Sequence, residues 1–135
     1  MRTINKIIVH CTDTPEGRRV SVKDITQWHK EKGYYTIGYH YVVYLNGSVH
    51  AGRFVGEIGA HCKGHNVDSI GVCYVGGRDK KGDYSDTRTD AQKEALRSLI
   101  KKLLAKYPNA KVYGHRDFAA RACPCFDAKT EYENV

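Results

Sequence analysis

The sequence predicts one α/β domain, spanning residues 1–135, in which helices flank a central mixed β-sheet of about four to six strands. Apolar runs of strand length alternate along the chain with two segments of helical periodicity. Near the N-terminus a strand, a helix and a strand follow one another, which is typical of a βαβ crossover with parallel strands. The content of 41% hydrophobic and 27% charged residues is typical of a globular protein with its own core.

The first strand is predicted over residues 4–10, where the run Ile7-Ile8-Val9 is apolar on both faces, as in a central strand. A polar loop follows it. Ser21 is typical of a helix N-cap, and Asp24 three residues later completes a variant of the capping box. The first helix is therefore predicted to begin after Ser21 and to end at Gly33.

A β-hairpin and a long loop are predicted in the middle of the chain. Residues 39–45 are rich in β-branched and aromatic side chains, and Asn46-Gly47 is the strongest short hairpin signal, so residues 48–52 form the return strand. Residues 53–69 contain three glycines and two histidines without periodicity. Such long loops in compact domains are often functional.

The C-terminal half contains a strand at residues 70–75, the longer helix and a last short strand at residues 111–113. Thr89 and Gln92 form a second capping box at the start of the helix. Apolar residues then recur at helical spacing: Ala95, Leu96, Leu99, Ile100, Leu103 and Leu104. One further helical turn is expected after Phe126.

Three side chains of metal-ligand type are expected to meet at one edge of the sheet. His10 ends the first strand, His115 follows the last strand, and Cys123 lies eight residues beyond it. If those two strands are neighbours, both imidazoles and the thiolate converge where sites in α/β sheets collect. Three protein ligands plus water are the arrangement of a catalytic zinc ion, Zn2+. The alternative is that each histidine is an ordinary polar residue at a strand end.

Charge and composition limit the classes of partner. Twenty-two Lys and Arg against fifteen Asp and Glu give a net charge of +7, which favours anionic partners. No motif of interleaved aromatic and basic residues supports nucleic-acid binding, so none is expected. No stretch approaches the roughly 20 apolar residues of a membrane span, and no signal-peptide core begins the chain. We expect a monomer made in the cytoplasm, with reduced cysteines, which another system delivers to any target outside.

Motifs that run in order over nearly the whole chain carry a resemblance to a known family. They are Ile8-Val9-His10-Cys11-Thr12, Ile25-Thr26-Gln27-Trp28-His29-Lys30, Gly38-Tyr39-His40-Tyr41, His61-Cys62-Lys63-Gly64, Asn66, Ser69-Ile70-Gly71-Val72-Cys73, Gly76-Gly77, His115 and Ala122-Cys123-Pro124. In these the chain resembles the zinc-dependent N-acetylmuramoyl-L-alanine amidases, which include peptidoglycan recognition proteins, and most of all the small phage lysozymes that are amidases. The resemblance implies that His10, His115 and Cys123 are zinc ligands. It also implies cleavage of the amide between N-acetylmuramic acid and L-alanine of the peptidoglycan stem peptide.

The resemblance implies catalytic roles for Tyr39 and for Arg121, which stands where the phage lysozymes carry Lys. Arg does not give up its proton near neutral pH, so Tyr39 is expected to take more of the proton handling. Some family members carry a Glu in the strand at residues 69–77, and this chain lacks it.

The long loop matches the substrate side of the family. His61 corresponds to a substrate-side histidine of the phage lysozymes, and Lys63 and Asn66 are expected to meet the stem-peptide carboxylates or the glycan. The alternative is that these three residues are only solvated loop side chains.

Two rival functions use the same residues. A non-catalytic module of this fold would hold peptidoglycan or a muropeptide without cutting it, but such members usually lack the ligand cysteine, and Cys123 is present. A cysteine-dependent cell-wall peptidase would use Cys123 as nucleophile and His115 or His10 as base. Phage lysis, muropeptide recycling in the cytoplasm and delivery as an effector all remain open as settings.

Overall fold

A computed structural model of the protein describes residues 2–135, so Met1, which begins the predicted domain, lies outside the described residues. The central sheet has five strands in the order β4-β3-β5-β1-β7. Their bounds are β1 Lys6–Cys11, β3 Tyr41–Val43, β4 Val49–Ala51, β5 Ser69–Tyr74 and β7 Lys111–Gly114. Only the β3–β4 hairpin is antiparallel among these pairs, which confirms the predicted mixed sheet.

The most apolar strands occupy the middle of the sheet. All six residues of β5 are buried, and Ile7, Ile8 and Val9 of β1 have no exposed surface. A strand that is apolar on both faces needs a helix layer on each side, which the central positions provide. The strands β1 and β3 run in the same direction, as predicted, but β5 lies between them and pairs with both.

Two strands lie in segments that the sequence predicts as loops. The short strands β2 Thr14–Pro15 and β6 Gly77–Arg78 form a second, two-stranded parallel sheet. Runs of two residues are too short for a period-2 pattern, and their pairing depends on contacts between distant parts of the chain.

The helices begin where the capping boxes predict. Ser21 accepts a hydrogen bond from the backbone of Asp24 at the start of α1 Val22–Glu31, and Thr89 accepts one from Gln92 at the start of α2 Asp90–Lys106. A 3₁₀ turn at His115–Asp117 follows β7, and α3 Ala128–Glu131 ends the fold. No helix within residues 2–135 has the length and apolar character needed to cross a bilayer.

Candidate metal centre and the cleft around it

The three residues predicted as ligands converge at one edge of the sheet. The strands β1 and β7 are parallel neighbours, and their register pairs Val9 with Gly114. The next residue of each chain segment is a histidine, so His10 and His115 lie side by side, with ring centroids 4.6 Å apart. One potential ligand atom from each of His10, His115 and Cys123 lies within 4.8 Å of the other two. Their role as ligands stays a prediction.

The donor set suits zinc. Imidazole nitrogen and thiolate sulfur are its preferred ligands, at about 2.0–2.3 Å from the ion, which places tetrahedral donors roughly 3.3–3.8 Å apart. In the structure the three donor atoms lie within 4.8 Å of one another, so small side-chain adjustments are enough to reach that spacing. Three protein donors leave the fourth position to water or substrate, as in catalytic sites.

The thiol of Cys123 is held by its surroundings. The backbone N–H of Cys11 donates to Cys123 Sγ at 3.2 Å, and the backbone N–H of Arg116 donates to the Cys123 carbonyl at 2.8 Å. The buried hydroxyl of Tyr74 donates to the carbonyl of Pro124 at 2.7 Å. The β1 and β5 strands therefore fix the segment that carries the thiol, although it lies in a loop.

Both histidines of the donor set are suited to bind a metal in their neutral form. Burial lowers the pKa of His10 well below its ordinary value, with further contributions from His61 and His115. Burial, followed by the charge of Arg121, also lowers the pKa of His115. A neutral imidazole offers the lone pair that a metal–nitrogen bond needs.

His61 lines the cleft and also contacts His10 of the metal centre, and its contact with substrate stays a prediction. Its Nδ1 is 2.8 Å from His10 Nε2, and its Nε2 is 3.2 Å from the hydroxyl of Ser69. The side-chain oxygen of Asn66 accepts the backbone N–H groups of His61 and Cys62 at 3.0 and 2.9 Å. Asn66 thus supports the loop, and its contact with substrate stays a prediction, as does that of the exposed Lys63.

The two predicted catalytic residues border the same centre. The ring of Tyr39 lies 5.0 Å from that of His10, centroid to centroid. Burial raises the pKa of Tyr39 well above its ordinary value, and the neighbouring thiols, led by Cys73, raise it further. Arg121 is exposed and lines the same cleft. Its guanidinium makes no hydrogen bond or ion pair with another residue of the described part of the chain.

The cleft has a volume of about 1290 Å³ and a cationic lining. Lys32, Lys63 and Arg121 line it, whereas Asp13 is the one acid among its described lining residues. Asp13 forms an ion pair with Arg78 at 2.7 Å, so its charge is already compensated. The cleft therefore favours an elongated ligand with carboxylates.

Several residues that organise the site were not identified from the sequence. Tyr74 and the backbone of Cys11 act through contacts between residues 50 and 112 positions apart, and Ser69 contacts His61 from strand β5, which local patterns do not reveal. The five cysteines are free thiols. Cys125 donates its S–H to the carbonyl of Gly77 at 3.2 Å and is not among the three converging donors.

Comparison with known proteins shows the family and the fold of this chain. A family model described as N-acetylmuramoyl-L-alanine amidase matches residues 1–126. The endolysin of Enterobacteria phage T3 is 47% identical over 131 residues, which cover 97% of this chain and 87% of that protein. The endolysin of Escherichia phage T7 is 47% identical over 127 residues, which cover 94% and 84%. The solved N-acetylmuramoyl-L-alanine amidase LysC from Clostridium intestinale URNW superposes with a TM-score of 0.81 at 25% identity, covering 96% of this chain and 82% of that one.

Proposed function

Because the chain belongs to the N-acetylmuramoyl-L-alanine amidase family, we propose that it is a zinc-dependent amidase of peptidoglycan. The bond cleaved is the amide between N-acetylmuramic acid and L-alanine of the stem peptide. The observation that carries the proposal is the convergence of His10, His115 and Cys123 beside a cationic cleft. The relatives from phages T3 and T7 are endolysins, which supports degradation of a bacterial cell wall as the setting.

His10, His115 and Cys123 would hold the zinc ion. When bound, the ion supplies an acidified water and polarises the amide carbonyl. Burial keeps both imidazoles neutral, and the N–H of Cys11 stabilises negative charge on the thiolate of Cys123. The protein thus contributes two neutral imidazoles and a sulfur atom that already accepts a backbone N–H.

Arg121 and Tyr39 divide the remaining tasks. Arg121 is a permanent cation at the cleft, so it stabilises negative charge that develops on the amide oxygen but does not transfer a proton. Tyr39 keeps its phenolic proton at neutral pH, as an ordinary tyrosine does, and burial raises its pKa further, so it is a hydrogen-bond donor to the reacting amide. We assign to Tyr39 the transfer of its proton to the leaving L-alanine amine, and a proton lost by the attacking water restores the phenol.

The charge of the cleft matches the substrate class. Stem peptides carry free carboxylates, and the exposed cations Lys32 and Lys63 lie on the cleft wall with Arg121. Asp13, the one acid among the described lining residues, is paired with Arg78, so its negative charge does not offset the lining cations. A substrate with carboxylates is therefore attracted along the cleft toward the metal centre.

A digest of purified peptidoglycan tests the proposal. We expect mass spectrometry to show free stem peptides that begin at L-alanine, to show none after treatment with a chelator, and to show them again after zinc is restored. Products that consist only of disaccharide-linked fragments would contradict the amidase. Chelator-resistant activity that alkylation of thiols abolishes would instead indicate a cysteine peptidase.

A further inference from the structure

We propose that His61 is a positioning residue of the metal centre, which holds the imidazole of His10 with its Nδ1 directed to the site. The proposal rests on the zinc-dependent function proposed above. His61 lies in the long loop, 51 positions from His10 in the sequence, yet His61 Nδ1 and His10 Nε2 are 2.8 Å apart. It therefore acts on the metal through His10 and not as a ligand.

The direction of this hydrogen bond follows from the chemistry of imidazole. His10 Nε2 faces His61, so Nδ1 is the nitrogen that His10 has left for a metal. A neutral imidazole that binds a metal through Nδ1 carries its proton on Nε2, and His10 is then the donor to His61 Nδ1. His61 in turn carries its proton on Nε2 and donates it to the hydroxyl of Ser69, 3.2 Å away. One tautomer of each histidine satisfies both contacts.

The backbone provides a slot for the His61 ring. A Cβ atom placed on Gly59 or on Gly71 would come within 2.7 Å of His61 side-chain atoms, so both positions require glycine. Gly71 belongs to β5 and is paired with Ile8 of β1, the strand that carries His10. The loop is thereby fitted against the strand that holds the ligand.

Further contacts fix the angle of the His61 ring. The His10 and His61 rings meet edge to face at 89° with centroids 4.9 Å apart, and His40 approaches from another side at 80° and 5.8 Å. Asn66 holds the backbone N–H of His61 at 3.0 Å. A side chain fixed in this way transmits its own orientation to its hydrogen-bond partner.

Both ring nitrogens of His61 have a protein partner in this position. One faces His10 and the other faces Ser69, so neither is free to bind substrate. Lys63, two residues later, is exposed on the same cleft and has no side-chain hydrogen bond within residues 2–135. Lys63 is thus a matched control for a loop residue that meets the cleft but not His10.

Zinc affinity measured by competition with a chromogenic chelator tests the role of His61. An Asn side chain places its oxygen where His carries Nδ1, whereas Leu has the same branching and no acceptor. We expect H61L to weaken zinc binding about 10–100-fold, the usual effect of losing the partner of a ligand histidine. The zinc affinity of H61N is expected to stay within about threefold of that of the wild type, because the Asn oxygen still accepts from His10. The zinc affinity of K63A is expected to match the wild type, because that variant retains His61.

Wild-type zinc affinity in H61L, or an equal loss in H61N and H61L, would overturn the positioning role. A wild-type protein that binds no zinc would overturn the proposed function instead, so the two failures are distinct. Long-range ¹H–¹⁵N NMR spectra of the zinc-loaded wild type provide a test that needs no variant. We expect protonated Nε2 in both His10 and His61, and a proton on Nδ1 of His61 would contradict the proposal.

Discussion

The floor and the rim of the cleft are built on different principles. We define the floor as His10, His61, His115 and Cys123, and the rim as Lys32, Lys63 and Arg121. On the floor, His10 is 1% exposed and the polar atoms of His61 and Cys123 have protein partners at 2.8–3.2 Å. The rim cations are exposed and make no side-chain hydrogen bonds within residues 2–135.

This difference reflects two kinds of work. A metal centre needs donors held at fixed distances, and each uncompensated polar atom in a buried floor would cost stability. Attraction of a charged polymer needs only cations in water near the cleft, where mobility is tolerated. The floor is therefore expected to be sensitive to single atoms, and the rim to respond mainly to charge.

The largest effect is expected when a donor of the floor is removed. Cys123→Ser should reduce zinc affinity by more than the roughly 10–100-fold that is typical of losing an outer partner, and should abolish release of stem peptides. Metal content by elemental analysis and peptidoglycan digestion measure both effects. Cys125→Ser is the matched control, because Cys125 Sγ contacts the carbonyl of Gly77. Equal zinc loss in both variants would contradict the assignment of the ligand.

Tyr39 lies between floor and rim, and its hydroxyl should matter for turnover but not for the metal. We expect Tyr39→Phe to lower kcat by about 10²–10⁴-fold, the usual contribution of proton transfer, while zinc content stays unchanged. Steady-state kinetics on a soluble muropeptide, together with metal analysis, separate the two quantities. Near wild-type turnover in Tyr39→Phe would remove Tyr39 from the mechanism.

Arg121 tests whether the rim acts by charge alone. Arg121→Ala should lower kcat by about 10²–10³-fold if the guanidinium stabilises the oxyanion, whereas Arg121→Lys should retain most activity. Both variants should bind zinc like the wild type, since Arg121 supplies no donor to the metal centre. If Arg121→Ala turns over normally, the charge on the amide oxygen is stabilised elsewhere.

Acid should lower the stability of the protein, because several of its histidines are neutral in the folded state. Burial lowers the pKa of His29 and that of His40 to about 4, and each accepts a backbone N–H at 2.8–3.0 Å. Both folded pKa values lie below the unfolded value near 6.5, so this contribution is complete above pH 6.5 and is lost as pH falls toward 4. The free energy of unfolding of zinc-free protein should fall by up to about 1.4 kcal/mol per pH unit for each such histidine.

Urea denaturation of zinc-free protein between pH 7 and pH 4.5 measures this loss. Substitution of His40 by Gln should make the profile less steep, because one of the histidines that are neutral in the folded protein is then absent. A stability that is constant over this range would show that these histidines are not neutral in the folded protein.

Local patterns predicted the elements that depend on neighbours in the chain. The capping boxes at Ser21 and Thr89 place both helix starts, because each requires contact only with a residue three positions later. The apolar run at residues 7–9 predicts a central strand, because it places apolar side chains on both faces, and the structure buries all three residues. The resemblance in motifs predicted the three donors that the structure brings together.

Contacts between distant segments were decided by tertiary structure. The insertion of β5 between β1 and β3 and the pairing of β2 with β6 leave no periodic signal in the sequence. His61 illustrates the difference most clearly: the family resemblance implied a substrate-side residue, and only packing against Gly71 and His10 shows its contact with the metal centre. The sequence by itself determined the two long helices, the main strands and the kinds of donor available, because these depend on residue type and local spacing. Which ring nitrogen meets which neighbour depended on strand order and register, and these are set by the packing of the whole domain.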